Sequence, residues 1–496
     1  MTAVTDRTAY RKVVETLKRR RKGLTAADLA AATALPLAAA REQLSRAADE
    51  FRGRLKVTES SEILYEFPQG FTSRYTSLGA RLGRFMDKFV RVGAAFLSWL
   101  FKAWILVMLL GYFALFMLIA LAALFLSVAG NSSNSNSRSR SHSGGGFILA
   151  SHVFDLIIRL WFYSELTKSL EGSYRGRPVR NQRRSQPLHR AVFSFVFGEK
   201  DAVDAEAAER RALIAYLCAN RGIISLPEYM ALTGAGPLEA EERILGLCAD
   251  AGGYPEATEE GTIVYRFQDI MRRADKGDRS FAGEGLSAPL TRLRSFSANS
   301  KTMNAWFGII NSVNLLFGGY FFYQALTTGV IRSTEHLQAS PRIYGITYAL
   351  ATALTDNPQP VLLIGLGLVP LVFSFFFWVI PALRYIRLGR QNQGIKRRNL
   401  RKIGFRKIWE KLRGVSAADI DNPAPECRPE PLAAEQEKII AEMGAYSQPE
   451  VEADESGKIF YNFTELEREK KVLASSRAAV NSADFDLGKV VFDSGQ

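Results

Sequence analysis

Long apolar runs alternate with charged, periodic segments along this chain of 496 residues. The runs at 103–129, 305–330 and 361–383 are long enough to cross a bilayer core of about 30 Å, because a helix rises about 1.5 Å per residue. A shorter run, 147–163, also carries polar residues, and it either spans the membrane or lies flat on it. The pattern predicts four spans in two transmembrane hairpins, at 103–163 and 305–384.

Three other segments, 1–73, 208–273 and 403–470, share one pattern of apolar and polar positions. Each has an amphipathic helix, a Ser/Thr-x-x-Asp/Glu box, a proline that opens another helix, and an alternating stretch ending in Tyr-x-Phe. The distance from that proline to that tyrosine is 29, 28 and 30 residues, so we interpret the segments as three copies of one module. The predicted hairpin, or wing, residues are Tyr65, Phe67, Tyr265, Phe267, Tyr461 and Phe463.

The order helix, helix, helix, hairpin resembles the winged-helix fold. The third copy departs from it, because the prolines of 421–431 predict a short or absent middle helix. The resemblance implies a third helix that enters the major groove of DNA and a wing that contacts phosphate. In the second and third copies that helix begins with several glutamates, which repel phosphate. Nucleic acid is therefore an improbable partner, and we expect the modules to bind protein or each other.

Basic residues concentrate beside the apolar runs, in a chain whose net charge is +14. Such clusters mark the cytoplasmic end of a span and suit anionic lipid headgroups. The linkers are 164–207, 274–304 and 385–402, and the segment 74–102 is predicted to be amphipathic and interfacial. We also expect the acidic modules to pack on the basic segments, of the same chain or of a neighbour. The predicted membrane-surface cations are Arg175, Arg177, Arg180, Arg183, Arg184, Arg397 and Arg398.

The sequence contains no phosphate-binding glycine loop, no His-x-x-x-His pair and no nucleophile elbow. It therefore predicts no enzyme, metal or cofactor. Polar residues inside the apolar runs are the only candidate functional residues that the sequence indicates there, since ionisable groups at membrane depth are often functional. They either line a polar path or form ion pairs and hydrogen bonds between helices. These residues are His152, Asp155, Arg159, Asn311 and Asn314.

Two short apolar-aromatic stretches lie outside the spans, at 191–197 and within the tail 471–496, at 485–493. We predict that each adds an edge strand to a wing or docks in a groove; the alternative is a plain linker.

Together these patterns predict a mainly α polytopic membrane protein with four transmembrane helices and three small α+β, winged-helix-like modules. An even number of crossings between modules would place all three, and both termini, on the cytoplasmic side of the cell inner membrane. The expected function is a non-enzymatic scaffold or assembly protein for protein partners or self-association. The alternatives are an ion or small-solute transporter or channel using the intramembrane polar residues, and a membrane-tethered DNA-binding regulator resting on the basic first module.

Overall fold

In a computed structural model the protein is mostly helical, and its described residues form three small sheets. The chain divides into two compact units: unit 1 comprises 1–85, 201–294 and 389–496, and unit 2 comprises 86–200 and 295–388. The predicted mainly helical class is confirmed. The described residues are 2–19, 23–68, 71, 78–129, 187–198, 205–274, 286–329, 331, 334–340, 342–455 and 457–495.

The first module of unit 1 has three helices and a hairpin. The box predicted at Thr25 forms: the Thr25 side chain accepts from the amide of Asp28, and the Asp28 carboxylate accepts from the amide of Thr25. Leu24 forms a β-bridge with Tyr65, which ties the helices to the hairpin around a core that includes Leu44. The elements are α1 (Thr2–Arg19), α2 (Ala26–Thr33), α3 (Leu37–Phe51), β1 (Arg54–Thr58) and β2 (Ile63–Glu66).

The second module follows the same order of elements. Its box, Ser225 with Glu228, also forms, and Pro237 opens the third helix as predicted. A short strand before the box pairs with the second strand of the hairpin, giving the sheet order β3-β5-β4. The elements are α5 (Ala205–Ala219), β3 (Ile223–Ile224), α6 (Leu226–Thr233), α7 (Pro237–Ala251), β4 (Gly253–Ala257) and β5 (Ile263–Phe267).

The third module lacks a regular middle helix. The box at Ser416 and Asp419 forms, but it opens only 3-10 turns at Ala417–Asp419 and Pro425–Cys427. The prediction of a short or absent middle helix is confirmed. The other elements are the third helix, here α8 (Leu432–Tyr446), the strands β6 (Glu450–Ala453) and β7 (Ile459–Asn462), and a further helix, α9 (Thr464–Ala479), which extends this module past the end predicted at residue 470.

The C-terminal tail ends in strand β8 (Val490–Asp493), which pairs antiparallel with β1 of the first module. The sheet order is β2-β1-β8, so the edge strand predicted for 485–493 is confirmed. The amide of Glu59 donates to the carbonyl of Lys489 at 2.9 Å, and the amide of Ser60 donates to the carbonyl of Leu487 at 3.3 Å. The last residues of the chain therefore complete the sheet of the first module.

Deleting residues 488–496 is expected to destabilise this sheet by about 1–2 kcal/mol, because backbone hydrogen bonds to β1 are lost. In hydrogen exchange of the truncated chain, the amides of Leu55 and Glu59 should exchange faster than in the wild-type chain. The amide of Thr58 donates to Glu62 within the hairpin and serves as the internal control. Unchanged exchange at Glu59 would show that the tail does not hold the strand.

The other aromatic stretch is a helix, α10 (Leu188–Phe197), so of the two arrangements predicted for 191–197, an edge strand or docking in a groove, the edge strand is wrong. Pro187 stands at its N-cap position, and Ala191 and Phe195 fall four residues apart on one buried face. The ring of Phe195 lies 5.9 Å from that of Phe307 and 5.5 Å from that of Phe377. The seven aromatic and small residues of 191–197 fit both the period of a helix and that of a strand. Packing within unit 2 favours the helix.

Three described helices are long and apolar enough to cross a membrane: Val92–Phe125, Lys301–Thr327 and Pro358–Lys411. The first belongs to a continuous helix, α11 (Leu78–Ala129), which runs without a break through the boundary predicted at residue 102. The second is α12 (Lys301–Thr327). The third comprises a helical turn at Pro358–Pro360, a π-helical stretch at Val361–Leu368 and helix α13 (Val369–Lys411). The fourth predicted span, 147–163, lies outside the described residues.

Glycines allow two of these spans in unit 2 to pack closely. A Cβ on Gly367 would lie 2.9 Å from the backbone of Phe322, and one on Gly318 would lie 3.0 Å from the amide nitrogen of Leu371. Small residues at such contacts are typical of membrane helices, whose association depends on close packing. Two short helices, Thr334–Ala339 and Arg342–Thr352, lie between the second and third spans.

Candidate functional site

The first and second modules meet at the buried carboxylate of Asp28. Its Oδ1 accepts from Nε of Arg273 at 3.3 Å, and its Oδ2 accepts from the amide of Ala274 at 2.8 Å. The hydroxyl of Thr25 donates to the carbonyl of Arg272 at 3.0 Å. The box that opens α2 therefore also binds the end of the second module.

The second and third modules meet in the same way at Glu228, which is 2% exposed. Nη2 of Arg477, on α9, donates to Oε2 of Glu228 at 2.6 Å and to the carbonyl of Ile223 at 2.9 Å. Arg221 donates in return to the carbonyl of Val480 at 2.7 Å. A charge buried this deeply is tolerated only when it is paired. In both interfaces the box carboxylate thus receives an arginine from another module.

Glu469 is a second carboxylate beside this contact, and it is 7% exposed. The hydroxyl of Tyr446 donates to its Oε2 at 3.2 Å. Burial raises the pKa of Glu469 to about 7; the charge of Glu228 also raises it, whereas the hydrogen bond from Tyr446 lowers it. Burial also raises the pKa of the Tyr446 hydroxyl, and the nearby Glu469 adds to that effect. The contact therefore holds a group that titrates near neutral pH.

Basic residues at the end of α13 pair with carboxylates of the second and third modules. Arg397 lies 2.7 Å from Glu435, and Arg398 lies 3.0 Å from Glu209. Lys402, 1% exposed, donates to the same Glu209 at 2.9 Å, and Arg401 pairs with Glu442. The packing of acidic modules on a basic segment thus occurs within this chain. The other predicted surface cations, Arg175, Arg177, Arg180, Arg183 and Arg184, lie outside the described residues.

These pairs border a cleft of about 280 Å³ in unit 1. Four of its lining side chains are cations and two are carboxylates, and three of the cations, Arg397, Arg398 and Arg401, form the ion pairs just described. Its lining residues are Gly234, Glu239, Gly394, Arg397, Arg398, Arg401, Glu435 and Lys438.

The predicted wing residues mostly face the module cores. Tyr65, Tyr265, Phe267 and Phe463 are buried, while Phe67 and Tyr461 are half-buried. The hydroxyl of Tyr65 lies 3.1 Å from Oγ of Ser45, on the third helix of its own module. These side chains therefore hold the hairpins to the helices, and most of their surface is closed to a partner.

Two of the predicted intramembrane polar residues are described, and both are fully buried in unit 2. Nδ2 of Asn311 donates to the carbonyl of Ser374 at 3.0 Å, and Nδ2 of Asn314 donates to the carbonyl of Leu109 at 2.8 Å. The hydroxyl of Tyr112 donates to the carbonyl of Gly365 at 2.8 Å. Each pair of the three described spans is thereby joined by a side-chain hydrogen bond. His152, Asp155 and Arg159 lie outside the described residues.

Replacing Asn314 by Leu is expected to destabilise the span bundle by about 1 kcal/mol, because one interhelical hydrogen bond is lost. Thermal unfolding of the purified chain in detergent measures the change. Thr327→Val is the matched control, since the Thr327 hydroxyl bonds only within its own helix. An equal shift in both variants would contradict a specific role for Asn314.

Among the described residues, no group of three or more His, Cys, Asp or Glu side chains is placed to hold a metal ion. Cys248 is buried on α7, and burial raises the pKa of its thiol to about 11, which leaves it protonated at neutral pH.

The arginines Arg273 and Arg477 were not predicted as functional residues. Each stands in a locally unremarkable basic stretch, and its partner lies 245 or 249 residues away along the chain. The Ser/Thr-x-x-Asp/Glu boxes were the only sequence signal at these sites, and they indicated helix starts alone.

No protein-family model and no solved structure matches this chain. It is similar to a protein of Arabidopsis thaliana described as uncharacterized and chloroplastic, with 21% identity over 397 residues. The alignment covers 78% of this chain and 70% of the plant protein. Because 397 residues exceed the length of either unit, the similarity extends over parts of both.

Proposed function

We propose that this chain is a non-enzymatic integral membrane scaffold whose three modules form one cytoplasmic platform for protein partners. The observation that supports it most is that all three modules belong to one compact unit. Each module contacts the other two. Arg273 joins the second module to Asp28 of the first, Arg477 joins the third to Glu228 of the second, and β8 returns to the first. Modules fixed in this way can present a constant surface.

We further infer that the modules are winged-helix-like. The support is the element order in the first two copies, with a bridge or short strand after the first helix pairing with the hairpin. The charges still argue against nucleic acid as the partner. In the second module the third helix exposes Glu239, Glu241 and Glu242, which would face the phosphates of DNA.

The inferred topology has four spans. Modules packed in one unit lie on one side of a membrane, so the chain crosses it an even number of times between successive modules. Between the second and third modules, α12 and the helix beginning at Pro358 supply two crossings. Between the first and second modules, α11 supplies one. We assign the remaining crossing to 147–163 on its sequence.

Cysteine labelling tests this arrangement. In a chain whose three native cysteines are replaced by serine, single cysteines at Glu42, Gly246 and Glu437 report on the three modules, and all three positions are exposed. A membrane-impermeant maleimide should label none of them in intact cells and all of them after permeabilisation. Glu335→Cys, between two spans, is the control that should label from outside. Labelling of Gly246→Cys in intact cells would refute the topology.

Crosslinking and mass spectrometry of the tagged chain in its native membrane tests the scaffold itself. Crosslinks should run from module surfaces to other proteins, or to a second copy of the chain. If the modules yield no crosslinks between proteins, the scaffold proposal fails. Solute flux in proteoliposomes that is lost in Asn311→Leu with Asn314→Leu would then support transport in its place.

A further inference from the structure

Helix α7 of the second module has two apolar faces. One is buried in the core and consists of Ala240, Ile244, Cys248 and Ala251. The other is exposed: Leu238 is 85% exposed and Leu245 is 46% exposed. These leucines are seven residues apart, two turns of the helix, and therefore share a face. Core packing explains only the first face.

The exposed face continues along the helix through one glutamate and two small residues. Glu242, Gly246 and Ala249 follow Leu238 at intervals that place them on the same side, and all three are exposed. We name Leu238, Glu242, Leu245, Gly246 and Ala249 the outer face of α7.

Gly246 leaves the backbone of this face bare. A Cβ at Gly246 would meet no atom within 4 Å, so nothing in the fold requires a glycine there. A glycine inside a helix costs about 1 kcal/mol relative to alanine. What it provides is room for another helix to approach closely beside Leu245.

Acidic residues border the outer face. Glu239, Glu241 and Asp250 are exposed beside it, and Glu242 lies within it. The one cation of the helix, Arg243, pairs with Glu239 at 2.7 Å. A partner must therefore bring apolar side chains for the leucines and positive charge for the border, which excludes anionic lipid and nucleic acid.

We propose that the outer face of α7 is the docking surface for a basic amphipathic helix of a partner protein. The proposal rests on the scaffold function and names the class of partner. The partner helix would set its apolar stripe against Leu238 and Leu245, approach closely at Gly246, and place lysines or arginines opposite the bordering carboxylates.

Peptide binding to the full chain tests this docking surface. The chain is placed in nanodiscs of neutral lipid, and empty nanodiscs give the background. The probe is a fluorescent helical peptide of about five turns, with leucines on one face and lysines elsewhere; a second peptide has glutamates in place of the lysines. The lysine peptide should bind at least tenfold more tightly than the glutamate peptide, and high salt should weaken it.

The double variant Leu238→Ser with Leu245→Ser should weaken binding of the lysine peptide at least tenfold. Val451→Ser with Ile459→Ser is the matched control, since both residues are exposed apolar side chains of another module. Gly246→Trp should also block binding by filling the approach. Equal binding by the serine variant and the control would overturn the proposal. So would self-association of the chain that is lost in the serine variant, because a second copy would then be the occupant.

The docking proposal and the scaffold function fail differently. If the lysine peptide does not bind but native-membrane crosslinks still reach other proteins, only this docking surface is refuted. If no protein is crosslinked at any module, the scaffold function fails with it.

Discussion

Arg477→Met is expected to destabilise unit 1 by about 3–5 kcal/mol, because it leaves the carboxylate of Glu228 buried without its cation. The same change removes the hydrogen bond to the carbonyl of Ile223. Urea denaturation of the full chain, followed by hydrogen exchange in α6 and α9, measures the loss. Both helices should lose protection together, since the ion pair joins them.

Two further variants separate this pair from a general effect of charge. Arg468→Met removes an exposed arginine from the same helix and should change stability little. Adding Glu228→Gln to Arg477→Met should restore part of the loss, because the uncompensated charge disappears. If Arg468→Met proved as damaging as Arg477→Met, the ion pair would not be the cause.

Glu469→Gln is expected to stabilise unit 1 above neutral pH and to change its pH dependence. The pKa of Glu469 rises from an ordinary 4.5 to about 7 in the folded chain, mainly through burial. Between those values the folded chain keeps a proton that the unfolded chain has lost. Stability therefore falls as the pH rises through this window, by up to about 3 kcal/mol. Glutamine carries no charge and should remove the slope.

Denaturation of the wild-type and Glu469→Gln chains between pH 4 and 8 tests this expectation. Glu467→Gln is the control: that side chain is half-buried, and hydrogen bonds from Lys471 and Arg413 lower the pKa of its carboxyl, so its loss cannot remove the slope. A slope that persists unchanged in Glu469→Gln would show that another group titrates at the contact.

Local features were predictable because local chemistry determines them. The three boxes begin where Thr25, Ser225 and Ser416 stand, since each side chain binds backbone amides within three residues. Prolines likewise located the third helices. The apolar runs located the three described spans. The boundary predicted at residue 102, between an interfacial segment and the first span, does not interrupt α11, because no helix-breaking residue lies there.

The contacts between modules were not predictable in the same way. The Arg477–Glu228 pair depends on how separately folded modules meet, and no periodicity records that. The alternating pattern at Tyr65 and Phe267 showed which side of each strand is apolar, but that side faces the core. For 485–493 the alternation suited a strand, yet only the folded chain shows that its neighbour is β1.

The pairing of β8 with β1 sets an order for biosynthesis. Leu55 and Ser494, which are hydrogen-bonded to each other, are 439 residues apart. At about 5–20 residues per second, the ribosome needs on the order of 20 to 90 s to make the intervening chain. The first module therefore keeps an open strand edge until β8, and the described spans that precede it, have been synthesised. A prematurely terminated chain keeps that edge unpaired, which exposes it to quality-control proteases.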